Sequence, residues 1–268
     1  MENNNLNLRK DPEDDRDFKL TAPKRVSLPR RIDWRDQMSP VKNQGRLGSC
    51  VGFAVTAVKE FHEQQEHVLE VAAGKTYQRD IEYYDLSESW VYWMSKKLDP
   101  WPNEEGTSIR YAMKVLQKVG VPTEEAWPYD VNYTDPKIWA HLIARWGLIK
   151  SYQRINNLQE LKVALKDGPV AIGIGCFEEI FRPNRYGFVD MPKNTSNCIG
   201  GHAICITAYN DTSRQVIFKN SWSSAWGDKG YGRLSYEYIN NYMWDAWACK
   251  DVSVTTEMLK GSRKLIEG

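Results

Sequence analysis

Residues 44–50 read Gln44-Gly45-Arg46-Leu47-Gly48-Ser49-Cys50, and an apolar run with helical spacing follows directly. This run predicts a long helix that begins at Cys50 and continues past His62 through Val71. A thiol at a helix N-terminus lies near unpaired N–H groups and the positive end of the helix dipole, and both favour the thiolate. Gly48 allows a sharp turn just before the helix. The stretch therefore predicts a nucleophilic cysteine at the start of a helix.

A second cluster lies far along the chain, where Gly200-Gly201-His202 is followed by Asn220-Ser221-Trp222. A Cys, a His and an Asn that are distant in sequence meet only across a fold, which is how a cysteine nucleophile is usually activated. We expect His202 to form an imidazolium partner of the thiolate, Asn220 to orient its ring, and Trp222 to shield that contact from water. Gln44 is expected to donate its side-chain amide to an oxyanion beside the Cys50 N–H.

Composition excludes several classes of function. The chain has 268 residues, and its 36 basic and 35 acidic side chains give a net charge of +1, which offers no attraction to nucleic acid or anionic lipid. No apolar run approaches the roughly 18 residues that span a bilayer. The first twenty residues contain no apolar core of a secretory signal, so a cytoplasmic location is expected. Five scattered cysteines fit reduced thiols in a reducing compartment.

The pattern along the chain separates helices from strands. Residues 1–27 form a polar arm, which we expect to lie on the surface or in contact with a cleft, and 251–268 form a tail. Helices are expected after Ser87, from Thr107-Ser108 to Gly120, and within Asn156–Asp167. Strands are expected at four places: Val170–Cys176, Ala203–Tyr209, Gln215–Lys219 and Gly232–Ser235. This segregation predicts an α+β fold with two lobes and a cleft between them.

These motifs resemble the papain-like cysteine peptidases, the C1 family, from about Leu28 to Trp247. The resemblance is carried by these stretches: Pro40-Val41-Lys42-Asn43-Gln44-Gly45, Gly48-Ser49-Cys50, Leu86-Ser87-Glu88, Gly168-Pro169-Val170, His202-Ala203, and Lys219-Asn220-Ser221-Trp222 with Trp226-Gly227 and Gly230-Tyr231. Asp15-Arg16-Asp17, Trp127-Pro128-Tyr129 and Ser235-Tyr236-Glu237-Tyr238 are similar to the bacterial branch of the family.

The resemblance implies a papain-like domain over residues 28–250. Its helical left lobe would span about 40–145, and its antiparallel β-rich right lobe about 146–250 together with 28–39. The resemblance implies four catalytic residues: Cys50 as nucleophile, His202 as general base and acid, Asn220 as orienting residue and Gln44 as oxyanion donor. The substrate-binding residues would be Gly106, Thr107, Gly173, Gly200, Gly201 and Trp222.

The implied activity is hydrolysis of a protein or peptide substrate through a thioester acyl-enzyme, without cofactor or metal. A selective intracellular protease or a precursor-peptide processing enzyme would fit. Two alternatives stay open: an acyl or peptidyl transferase that uses the same site, and a catalytically weak pseudopeptidase that binds peptides. Cys198 and His202 are four residues apart, but no second pair accompanies them, so zinc is not expected.

The chain also departs from the family pattern. Leu47 stands where secreted members have a disulfide cysteine, and Val51 replaces the usual tryptophan after the nucleophile. The inhibitory prodomain of secreted members is not found within the sequence. Two readings follow for residues 1–27: either this arm blocks the cleft, or the enzyme is active as made and depends on narrow substrate choice.

Overall fold

A computed structural model describes residues 6–23, 26–72, 84–130 and 132–251. Four helices form one lobe: α1 Cys50–Ala72, α2 Glu88–Lys96, α3 Ile109–Lys118 and α4 Ile138–Ala144. The predicted long helix from Cys50 is confirmed as α1. Ser87 caps α2 as expected, because its hydroxyl accepts a hydrogen bond from the Trp90 N–H. Gly120 follows α3 with φ +83°, a conformation that suits glycine at a helix end.

One antiparallel sheet forms the second lobe. Its strands are β1 Arg31–Asp33, β2 Ile149–Arg154, β3 Val170–Cys176, β4 Gly200–Asn210, β5 Gln215–Lys219, β6 Tyr231–Ser235 and β7 Met243–Asp251. The order is β2-β7-β3-β4-β5-β6, and β1 pairs with β4. Short helices α5 Leu158–Ala164 and α6 Tyr236–Tyr242 accompany the sheet.

The structure has two apolar cores, one on each side of the sheet. The first core joins α1, α2 and α3 to the inner side of β4 and β7, with Val58, Trp90 and Met113 fully buried. The second lies on the other side of the sheet, around Ile172 and Phe218. The α+β prediction is therefore confirmed, as are the four predicted strands. The sequence analysis did not identify β1, β2, β7, α4 or α6.

The structure describes most of the N-terminal arm but not the C-terminal tail. Within the arm, residues 6–23 and 26–27 are described, whereas the predicted tail lies outside the described residues from position 252 onward. None of the helices in the described ranges is long and apolar enough to cross a membrane.

Candidate active site

Cys50 lies at the contact between the two lobes. It is the first residue of α1 and its side chain is completely buried. Three backbone N–H groups lie near its sulfur: those of Cys50 and Val51 at the helix N-terminus, and that of Ala203 on β4. Ala203 follows His202 directly on β4, so the start of α1 packs against the part of β4 that carries the imidazole. The predicted approach of the first cluster to the second is thus present.

His202 is held in one orientation by Asn220. The imidazole Nε2 lies 2.8 Å from Asn220 Oδ1, which also accepts the Ser221 N–H at 2.9 Å and is thereby identified as the amide oxygen. Nε2 therefore carries a hydrogen, and in the neutral ring Nδ1 is the proton acceptor. Nδ1 is buried and has no hydrogen-bond partner among the described residues. Trp222 stacks on the ring, with centroids 4.5 Å apart and planes at 26°. The ring is thus prepared to accept a proton at Nδ1.

Gln44 is buried and fixed at both ends of its amide. Its Nε2 donates to the Leu47 carbonyl at 2.9 Å, and its Oε1 accepts the Ser221 hydroxyl at 2.6 Å. An amide nitrogen has two hydrogens, so one remains to donate to an oxyanion. Its backbone N–H donates to the Ser221 carbonyl at 2.9 Å, which ties the loop before Cys50 to the segment after Asn220.

The sequence predicts a lowered pKa for the Cys50 thiol, and the structure gives the opposite direction. Burial raises the pKa of Cys50 to about 11, although the three backbone N–H groups act in the opposite direction. Burial also lowers the pKa of His202 to about 4, partly offset by the hydrogen bond to Asn220. Both shifts favour neutral forms, because a site without water penalises charge. At pH 7 this closed site therefore holds a thiol and a neutral imidazole.

This closed state predicts slow alkylation of Cys50. With a pKa of about 11, thiolate is scarce at pH 7 and increases about tenfold per pH unit up to that pKa. Iodoacetamide should therefore modify Cys50 at least about 100-fold more slowly than the exposed thiol of Cys198 at pH 7. Mass spectrometry of quenched samples from pH 6 to 10 would measure both rates. Equal rates at neutral pH would contradict the closed site.

The N-terminal arm accounts for part of this closure. Residues Leu6–Arg9 run parallel to the start of β4 and form a bridge between Asn7 and Gly201. The Leu8 N–H donates to the Gly201 carbonyl at 3.0 Å, and the Arg9 N–H donates to the Thr107 carbonyl at 3.0 Å. The segment thus lies between the two lobes, bonded to β4 on one side and to the residues before α3 on the other.

Glycines make room for this segment. A Cβ built on Gly106 would be 1.7 Å from the Asn7 carbonyl oxygen, and one on Gly200 would be 2.6 Å from that of Leu6. The nearest atom to such a Cβ on Gly48, two residues before Cys50, is an Asn7 side-chain atom at 2.7 Å. Backbone contacts of this kind exclude any larger residue.

Leu8 occupies an apolar pocket. It is 4% exposed, and its Cδ2 would be 2.4 Å from a Cβ on Gly173. Ile109 and Ala203 belong to the same apolar cluster. Five of the six predicted substrate-binding residues, Gly106, Thr107, Gly173, Gly200 and Gly201, therefore lie along Leu6–Arg9. The sixth, Trp222, instead covers His202.

Beyond the cleft, Asp11 anchors the arm in a buried polar site. Its carboxylate accepts hydrogen bonds from the Ser108 hydroxyl, from the Trp247 indole N–H at 2.9 Å and from the Arg110 backbone N–H at 3.2 Å. Its own N–H donates to Asp245 at 2.9 Å. Such a satisfied buried carboxylate fixes the arm at this point.

Two buried arginines extend this anchor to Asp17. Arg110 pairs with Asp17 at 2.6 Å, and Arg154 pairs with the same oxygen at 3.2 Å and with Asp245 at 3.0 Å. Removing one partner of such a network leaves a buried unpaired charge, which typically costs about 3–5 kcal/mol. We name Asp11, Asp17, Arg110, Arg154 and Asp245 the arm anchor.

Sequence reasoning missed the role of Leu8 and of the arm anchor. The sequence signals were small: Leu6 and Leu8 alternate with asparagines in a polar arm, and Asp11 and Asp17 lie in an acidic run.

In the described part of the chain, no group of three His, Cys, Asp or Glu side chains could hold a metal ion. Cys198 is exposed with its sulfur 3.6 Å from the Gly200 carbonyl, whereas His202 is fully buried.

A sequence profile described as "Papain family cysteine protease" matches residues 28–249. The chain belongs to the papain family of cysteine proteases. Among curated papain-family relatives, an uncharacterized peptidase C1-like protein of Acanthamoeba polyphaga mimivirus is 30% identical over 88% of this chain and 79% of its own length. A cathepsin L-like peptidase of Aedes aegypti is 28% identical over 82% of this chain and 62% of its own length.

Solved structures of papain-family members agree with the fold. Xylellain, a cysteine protease from Xylella fastidiosa, superposes with a TM-score of 0.77 at 27% identity, covering 92% of this chain and 96% of that one. Digestive procathepsin L 3 of Tenebrio molitor superposes with a TM-score of 0.67 at 22% identity, covering 87% of this chain and 73% of that one. This match supports the fold alone. Papain-like proteases act on proteins or peptides, and the family profile, the curated relatives and xylellain support cysteine endopeptidase activity. None of them favours a transferase or a pseudopeptidase.

Proposed function

We propose that Cys50, His202, Asn220 and Gln44 form the catalytic site of an endopeptidase that acts through a thioester. The observation that carries the proposal is the His202–Asn220 hydrogen bond of 2.8 Å, which leaves Nδ1 buried and without a partner, free to accept a proton. In the first step the Cys50 proton passes to Nδ1 of His202 as the sulfur bonds to the substrate carbonyl carbon. The carbonyl oxygen becomes an oxyanion, which receives the Cys50 N–H and the second amide hydrogen of Gln44.

Collapse of this intermediate breaks the C–N bond, and Nδ1 of His202 returns its proton to the leaving amine. The acyl group is then a thioester on Cys50. Water loses a proton to the same Nδ1 and attacks the thioester, and the thiol regains that proton as the acid leaves. Asn220 keeps Nδ1 directed at the sulfur throughout, and Trp222 shields the Asn220 contact from water.

We also propose that residues 1–27 include an inhibitory arm. The Leu6–Arg9 segment fills the groove lined by Gly106, Thr107, Gly173, Gly200 and Gly201, which a substrate must occupy. A substrate whose acyl half lies on this side runs from N to C toward Cys50. The arm runs in the opposite direction, from Asn7 beside Gly48 outward to Arg9. It therefore does not present a peptide carbonyl carbon to the Cys50 sulfur. The chain is therefore inhibited by a segment that it does not cleave.

A cytoplasmic location and a selective or precursor-processing role in a bacterial cell complete the proposal. Support comes from the five cysteines, which are all free, including the exposed Cys198. Free exposed thiols persist in reducing compartments. Fractionation of the source cells with an antibody to this chain would test the location, because recovery in a secreted or membrane fraction would contradict it.

Product analysis tests the proposed reaction. The full chain is incubated with a denatured protein, with and without an excess of glycinamide, and products are measured by mass spectrometry. Hydrolysis predicts new carboxylic acid ends in both samples, and an E-64-type epoxide should add its mass to Cys50. Exclusive amide ends with glycinamide would identify a transferase. Binding without cleavage or labelling, even after the arm is displaced as described below, would identify a pseudopeptidase.

A further inference from the structure

We propose that Trp101 and Glu104 form a subsite that selects a basic side chain in the substrate, at the third residue before the cleaved bond. The inference rests on the proposed function, since it assigns a preference to the same cleft. In the structure this subsite binds Arg9, the arm residue that follows Leu8.

Arg9 is bound by three groups of the helical lobe. Its guanidinium pairs with the Glu104 carboxylate and lies over the Trp101 ring, 5.9 Å from the centroid. Its backbone N–H donates to the Thr107 carbonyl at 3.0 Å. A planar cation above an aromatic ring and beside a carboxylate is a recognised arrangement for binding arginine or lysine.

The arm shows which substrate residue this subsite would receive. Asn7 lies beside Gly48, two residues before Cys50, Leu8 fills the pocket at Gly173, and Arg9 follows with its N–H bonded to Thr107. The pockets are formed by the enzyme. An extended peptide therefore places side chains in the same pockets in either backbone direction. A substrate therefore places its first residue at Asn7, its second in the Leu8 pocket and its third at Trp101 and Glu104.

The expected selectivity is moderate, because the subsite is open to water. The side chains of Arg9 and Glu104 are 38% and 54% exposed. Exposed ion pairs contribute little by themselves, and the contact with Trp101 adds a comparable amount. Replacing a basic third residue by glutamate loses both contacts and adds repulsion from Glu104. We expect arginine to exceed glutamate by about tenfold in kcat/KM.

The experiment uses the full chain with Leu8→Asp, which clears the arm from the cleft. Fluorogenic peptides of the form acetyl-X-Leu-Gln-coumarin are compared with X as arginine, lysine, alanine or glutamate. The expected order places arginine and lysine first and glutamate last. Glu104→Lys should reverse that order, and Glu104→Gln should flatten it. Glu237→Lys, a matched change at an exposed carboxylate on α6, should leave the order unchanged.

The arm supplies a second readout. In the native chain, Arg9→Glu should weaken docking and raise basal hydrolysis severalfold, and the pair Arg9→Glu with Glu104→Lys should restore inhibition. Hydrolysis that is independent of X and of Glu104 would overturn the subsite while leaving the proposed function intact. Absence of hydrolysis for every peptide would instead count against the proposed function. A reversed order in the Glu237→Lys control would show that the overall charge of the protein sets the preference, and it would also overturn the subsite.

Discussion

Cys50→Ala is expected to lower kcat/KM for a peptide substrate by at least about 10⁴-fold, because removing the nucleophile leaves only binding and oxyanion stabilisation. The chain should stay folded. Alanine keeps the Cβ at the start of α1 and removes one sulfur from a tightly packed site. A single small deletion of this kind costs about 1 kcal/mol, which shifts Tm by a few degrees in a domain of this size.

Steady-state kinetics and thermal unfolding of the same preparation would test this expectation. Cys198→Ser is the matched control, because it removes an exposed thiol and should leave kcat/KM within about twofold of the parent. Residual cleavage by Cys50→Ala above about 1% of the parent, with the fold intact, would exclude Cys50 as the nucleophile.

Leu8→Asp is expected to raise kcat/KM by about 100-fold or more. The change removes the burial of a leucine side chain, which stabilises docking by about 2 kcal/mol, and places a carboxylate in an apolar pocket at a cost of several kcal/mol more. The Leu6–Arg9 segment should therefore leave the cleft, while the arm anchor holds the following residues in place. Water then reaches Cys50 and His202, and the thiolate–imidazolium pair becomes accessible.

Comparison with Phe18→Asp separates cleft clearance from a general effect on the arm. Phe18 lies in the same arm but is 77% exposed, so its replacement should change kcat/KM by less than about twofold. The alkylation rate of Cys50 at pH 7 should rise together with activity in Leu8→Asp alone. An unchanged rate of hydrolysis in Leu8→Asp, in a preparation that loses activity on Cys50→Ala, would show that the arm does not control access.

Much of this architecture follows from local sequence signals. The apolar spacing after Cys50 predicts α1, Ser87 predicts the start of α2, and the run Val170–Cys176 predicts a central strand. Long helices and buried strands are determined by periodicity within one segment. The meeting of His202 with Asn220 could be expected because each residue type has a defined role beside a cysteine nucleophile.

Other features depend on contacts that no local pattern specifies. The strand β7 lies between β2 and β3 because of pairing across the whole sheet, and its residues Met243–Asp251 have little alternation of polar and apolar side chains. The pKa of Cys50 was expected to be low from its helix position, but burial outweighs the helix N-terminus in the closed site. That burial depends partly on Leu8, and two leucines alternating with asparagines are too short a pattern to indicate what they contact.

The arm anchor has a kinetic consequence. Arg110 and Arg154 bind Asp11 and Asp17 through contacts that do not involve residues 6–9, so we expect the anchor to hold when those residues leave the cleft. The Leu6–Arg9 segment is then a tethered competitor, whose effective concentration near the groove is of millimolar order for so short a link. A competitor of this kind raises the apparent KM and leaves kcat unchanged. Abundant or tightly bound peptides would thus be cleaved at full speed, whereas sparse ones would be ignored, without any cut in the chain itself.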